Sequence, residues 1–77
     1  MNNTRRKNLA VIHNALEDLA ERLEEILTEE QEALDNIPES FQGSDRYQSA
    51  EEAVSNLEEA LESLGSAYDY IEEAINA

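Results

Sequence analysis

Two runs of apolar residues at alternating steps of three and four, parted by one proline, leave this chain few folds. The second run is the cleaner: Tyr47, Ala50, Val54, Leu57, Leu61, Leu64, Tyr68, Ile71 and Ile75. That order is the seam of an amphipathic helix, because side chains three and four apart share a face. Ala53, Ala60, Ala67 and Ala74 repeat every seven residues beside it. Small side chains at that spacing let a neighbouring helix come close. The first run reads Leu9, Ile12, Leu16, Leu19, Leu23 and Ile26, then meets Glu30, where the stripe drifts onto Ala20, Leu27 and Leu34.

The breaks fall between the runs. Pro38 disfavours helical backbone at Ile37, so the first helix ends there. Thr4 is a fair N-cap for it. Ser44 or Asp45 caps the second, with Gln48 completing a capping box for Asp45, and Ser49 with Glu52 is the rival start. The expected organisation is one domain over residues 1–77, with a helix at 4–36, a connector at 37–44 and a helix at 45–75. Ile37 and Phe41, apolar within a polar connector, are expected to fold back over the hairpin's end. The fold class is all-α, an antiparallel two-helix hairpin. A hairpin alone buries one stripe per helix, which in a chain this small rarely yields more than about 3–5 kcal/mol. The extra columns at 20, 27, 34 and at 53, 60, 67, 74 widen the stripes and point to a homodimeric four-helix bundle.

Charge decides which partners such a hairpin can have. The chain carries 19 Asp and Glu against five Lys and Arg, a net of −14. Three of the five basic residues sit together at Arg5, Arg6 and Lys7, so from Asn8 onward only Arg22 and Arg46 oppose the acids. A polyanion repels nucleic acid and anionic membrane and favours a basic protein surface. The acids also stand in rows. Glu17, Glu21, Glu25 and Glu29 follow at i,i+4, and Glu58 with Glu62 and Asp69 with Glu73 repeat the relation. Each such pair costs a helix roughly 0.2–0.5 kcal/mol, and Asp18 with Arg22 is a rare compensating pair. Spread along a hairpin of about 45 Å, the net of −17 carried from Asn8 onward comes to about one charge per 2.6 Å, against about one per 1.7 Å of duplex DNA. Two readings follow: a functional anionic surface, whose sharp form is mimicry of nucleic acid, or a solvated surface that only keeps the chain soluble.

Other chemistry finds little footing. Without Cys there is no disulfide framework, thiolate metal site or cysteine nucleophile. Bundle di-metal sites need inward Glu-x-x-His pairs, and His13 has no Glu three residues before it. The connector lacks the alternating oxygen ligands of a calcium loop. No serine sits in an elbow context, and a two-helix unit offers no enclosed pocket. The expectation is a non-enzyme with no cofactor and no metal. No apolar run approaches the roughly 20 residues of a membrane span and no signal-peptide core follows the basic start, so the expected location is cytoplasmic. Arg5, Arg6 and Lys7 lie where the hairpin brings Glu72, Glu73 and the terminal carboxylate, which makes local neutralisation their expected role. Tyr47 and Tyr68 fall on the seam. Tyr70 points outward beside Asp69 and Glu73 and hints at a contact surface. Gly65, costing a helix about 1 kcal/mol against Ala, favours close approach of another chain over a hinge.

The stretch Glu29-Glu30-Gln31-Glu32-Ala33-Leu34-Asp35-Asn36-Ile37-Pro38-Glu39-Ser40-Phe41-Gln42-Gly43-Ser44 resembles a signature of short acidic proteins encoded in genomes, phages and mobile elements of Firmicutes. Leu57-Glu58-Glu59-Ala60 and Tyr70-Ile71-Glu72-Glu73-Ala74 are similar to their repetitive second helix, and the likeness spans most of the chain. The connector is its specific part. The resemblance brings no catalytic residues. It implies a mobile-element context, in which small acidic helical proteins often inhibit host nucleases or other defence machinery.

The functional expectation is therefore a non-enzymatic interaction protein of phage or mobile-element type. It binds a basic protein surface, such as that of a nucleic-acid-binding protein, and no nucleic acid directly. The residues expected to carry this are Glu17, Glu21, Glu25 and Glu29 on the first helix, and Glu51, Glu52, Glu58, Glu59 and Tyr70 on the second. The alternative is a structural or accessory homo-oligomer whose acidity only confers solubility.

Overall fold

Helix breaking at one point and helix forming everywhere else give a rod folded once. The computed structural model describes residues 1–77, with helix α1 over Asn3–Asp35, a short 3-10 turn over Glu39–Phe41, and helix α2 over Asp45–Asn76. The two helices lie side by side in a body of 59 × 14 × 13 Å. There are no strands, and no helix is long and apolar enough to cross a membrane.

The ends are set by identifiable hydrogen bonds. Asn2, not Thr4, caps α1: its Oδ1 accepts the Arg5 backbone N–H at 2.8 Å, which leaves Thr4 inside the first turn. Asn has the stronger preference for this position and satisfies a donor that helix geometry orphans. At the other end the Asn36 N–H donates to the Glu32 carbonyl and the Ile37 N–H to that of Leu34, and the chain leaves the helix one residue ahead of the expected boundary. Pro38 then holds an extended backbone (φ −59°, ψ 146°). Ser44 is the cap of α2. Its Oγ accepts the Tyr47 N–H at 3.2 Å and donates to the Phe41 carbonyl at 2.7 Å, which ties the connector to the helix it starts. Ile37 folds inward and is half-buried, but Phe41 stays 60% exposed, so only one of the two apolar connector residues closes the end.

The interface between the helices uses the expected seam on α2 but a different one on α1. From Tyr47 to Ile75 every seam residue of α2 is buried or half-buried. On α1 the protected seam residues are Leu9, His13, Leu16, Ala20, Leu23, Leu27 and Leu34, with Arg6, Ala10 and Gln31 half-buried beside them. Ile12, Leu19 and Ile26, expected in the seam, are 48%, 48% and 51% exposed. The 20, 27, 34 column thus belongs to the hairpin's own core and is not an extra one. Glu30 follows Leu9, Leu16 and Leu23 at a spacing of seven and borders the interface in either packing, so the difference lies at the connector end. Facing α2 with the Ile12 column would bring in only Ala33 there and strip cover from Leu27 and Leu34. Turning α1 toward its Ala20 column buries Leu34 instead and stacks His13 on Tyr68, ring centroids 3.8 Å apart. Only Leu34 and Val54 are fully buried.

Candidate functional site

Neighbouring side chains on a helix turn by roughly 100°, so each column of seven-spaced residues has a fixed direction once the seam is known. On α2, the columns through Glu51, Glu58 and Glu72, through Asp45, Glu52, Glu59 and Glu73, and through Glu62 and Asp69 hold every acidic residue. The columns through Ala53, Ala60, Ala67 and Ala74 and through Ser49, Asn56, Ser63 and Tyr70 hold none. On α1, Glu17 and Glu24 flank one side of the seam. Arg5, Ile12, Leu19, Ile26 and Ala33 flank the other, with Asn8, Ala15, Arg22 and Glu29 beyond them. Antiparallel pairing brings the Ile12 column and the alanine column to the same side of the hairpin. Glu17, Glu24, Glu51 and Glu58 come to the opposite side.

The surface relief agrees with this division. On the acidic side a groove runs over the seam, floored by Leu16, Ala20, Leu64 and Tyr68 and rimmed by Glu17, Glu21 and Glu24. Gly65 forms part of its wall, and a Cβ added there would meet nothing within 4 Å. Two shallow concavities extend this surface, one of Glu21, Glu24, Glu25, Thr28 and Glu29 and one of Gln48, Glu51, Glu52 and Ser55. On the neutral side the two ends are apolar dips, one formed by Met1, Arg5, Asn8, Leu9 and Ile12, the other centred on Ala33, Ile37, Phe41 and Ala50. Glu30 and Glu29 are the acids at the border of that side. Three of the five basic residues, Arg5, Arg22 and Arg46, lie in its columns.

The expected site residues are therefore placed in part as a group. Glu17 and Glu21 share the groove, while the same row winds on through Glu25 to Glu29 at the edge of the neutral side. Glu51 and Glu52 share a concavity, and Glu58 and Glu59 follow one heptad on. Tyr70 is separate: it is 72% exposed, but its column carries no acid and borders the neutral side. Glu24, which lines both acidic depressions on α1, was not among the expected residues. It has Ala20 and Thr28 four residues to either side and so belongs to no acidic row, and its place becomes legible only when the seam's direction is known. The acids are almost wholly unpaired. Arg22 and Asp18, 3.8 Å apart and both exposed, form the one ion pair, and such pairs contribute about 0.3–0.5 kcal/mol. Arg6 does not pair with Glu72 or Glu73. Its Nη2 donates to the Ala77 carbonyl at 2.9 Å, where the C-terminal end of α2 favours a cation.

Electrostatics at the groove reach one uncharged group. The Tyr68 phenol is held above its ordinary value, first by lost hydration at the helix interface, then by the negative charges of Glu17, Glu72 and Asp69. It remains a neutral donor at the groove floor. His13 stacks on its ring, with Nε2 shielded from water and unpartnered. No group of three or more His, Asp or Glu converges as a metal-ligand set.

Fold and surface define a helical hairpin with one polyanionic and one near-neutral apolar side. No protein-family model, no curated protein and no solved structure matches the chain.

Proposed function

We propose that this chain is a non-enzymatic interaction protein of phage or mobile-element type that binds a basic protein surface through its acidic side. The observation that carries the reading is the segregation of charge. An acidity that served solubility alone would gain most from covering all exposed surface, because apolar patches are what drive unwanted association. Here the carboxylates occupy the groove side and both outer edges, at the cost of like-charge repulsion, and leave one apolar side bare. The groove beside Gly65 suits a lysine or arginine side chain. Leu16, Ala20, Leu64 and Tyr68 would receive its aliphatic stem and Glu17, Glu21 and Glu24 its charged head. The row spacing and charge density favour a nucleic-acid-binding protein as the partner, with the hairpin mimicking nucleic acid and inhibiting a host nuclease or defence factor. The chain acts as a homodimer, which is what its bare side favours. The second reading, an accessory homo-oligomer whose acid only solubilises, shares that dimer and differs in the acidic side.

The test replaces Glu17, Glu21, Glu25 and Glu29 together by Gln, and separately Glu51, Glu52, Glu58 and Glu59. Gln keeps helix propensity and shape and removes repulsion, so both variants fold at least as well as the parent. Tagged parent protein should retain DNA-binding proteins from a host lysate at low salt, release them steeply as salt rises, and release them to competing duplex DNA. Both variants should lose them. Equal retention by both variants would overturn the anionic-surface reading and leave the accessory oligomer.

A further inference from the structure

The bare side has a shape that fits itself. We infer that it is covered by a second copy of this chain, with both connectors at the same end of a two-fold bundle, so that Ile12, Leu19 and Ile26 of each copy fill the gaps in the partner's alanine column. The inference rests on the dimer of the reading above and adds its face, direction and register.

Register is the main argument. The hairpin is anchored by Arg6 on Ala77 and by His13 on Tyr68. Counting from the stacked rings, where residue 13 faces residue 68, Ile12 stands near the height of Asp69, Leu19 near that of Glu62 and Ile26 near that of Ser55. Each lies in the span between two alanines, nearer the first named: Ile12 between Ala67 and Ala74, Leu19 between Ala60 and Ala67, Ile26 between Ala53 and Ala60. A two-fold axis along the bundle sets α1 of one copy against α2 of the other at equal height, which seats three large side chains in three small-residue gaps. It does so twice, since the contact is reciprocal. Turning one copy end for end would instead set Leu19 beside the partner's Leu19 along one edge and alanine on alanine along the other, giving a wedge.

Area and charge agree. The whole backbone outline of 59 × 14 Å leaves room for the roughly 800 Å² that each partner contributes to a standard interface. Isoleucine and leucine left half-exposed on one line are the apolar centre such an interface needs. Two copies so joined bury their least acidic sides, and both acidic grooves face outward on opposite sides. The dimer therefore offers two equivalent sites for a basic partner.

The chain has no cysteine, so engineered pairs report directly. A tagged Leu19→Cys chain mixed and refolded with an untagged Ala60→Cys or Ala67→Cys chain should give, on mild oxidation, one mixed cross-linked species and little Leu19→Cys self-linkage. The parent should sediment as a dimer at micromolar concentration. Self-linkage of Leu19→Cys as the main product, or a parent that sediments as a folded monomer, would overturn the inference. A dimer with no cross-link in either mixture would also overturn it, by placing the contact elsewhere. None of these results touches the binding of a basic partner, which the Glu→Gln variants test separately.

Discussion

Gly65 offers the sharpest separation of what the hairpin needs from what its partner needs. It sits inside α2, where glycine costs about 0.8–1.0 kcal/mol against alanine through backbone entropy. A glycine is usually retained in a helix for close approach or for a backbone angle that other residues avoid. Neither applies within this chain: its φ is not positive, and an added Cβ meets nothing within 4 Å. Gly65→Ala should therefore stabilise the fold by nearly the full propensity difference, about 1 kcal/mol, since the methyl gains almost no new burial and meets no clash. In a domain of this size that corresponds to a rise in melting temperature of roughly 4–8 °C. Circular dichroism melts at equal chain concentration, which a dimer requires, measure it. In the same protein the methyl narrows the groove opposite Glu17, so retention of basic partners should fall while stability rises. A melting temperature that stays put or drops would refute the open-space argument. Raised stability with undiminished partner retention would refute the groove as the docking point.

The caps and the phenol give two further tests. Ser44→Ala removes the acceptor for the Tyr47 N–H and the donor to the Phe41 carbonyl, and should cost about 1 kcal/mol, seen as a lower denaturant midpoint at unchanged slope. Tyr68 holds its proton more tightly folded than unfolded. The stability this supplies is complete below the ordinary phenol value of about 10 and is lost as pH rises through the higher folded-state value. Melts taken at rising alkaline pH should show that loss in the parent and less of it in Tyr68→Phe.

Much of the architecture was legible because it rests on local rules. Pro38 and Ser44 act through backbone geometry and one hydrogen bond each, so the connector could be placed from the residues alone. The α2 seam was legible for another reason: no polar residue interrupts it, so a single direction for α2 buries every member. On α1 the sequence contains two overlapping stripes, one through Ile12, Leu19 and Ile26 and one through Ala20, Leu27 and Leu34, both sharing Leu16 and Leu23. Periodicity cannot choose between them. The choice depends on what α2 places opposite Leu27 and Leu34, and that is a tertiary fact.

That one choice also governs the functional surface. The i,i+4 rows were visible as spacing, but a row has no side until the seam has a direction. With α1 turned to its Ala20 column, Glu17 and Glu24 come beside Gly65, Arg22 moves off the acidic side, and Ile12, Leu19 and Ile26 are left in a line opposite the carboxylates. Had α1 packed on its Ile12 column, the bare line would have been Ala20, Leu27 and Leu34, on the same side as Glu17 and Glu24. A second copy docking there would then have buried carboxylates against one another, a costly arrangement without basic partners. The packing seen instead would let the proposed dimer and the proposed basic partner use opposite sides. An apolar line lies where carboxylates are fewest, and the acidic groove stays open to solvent.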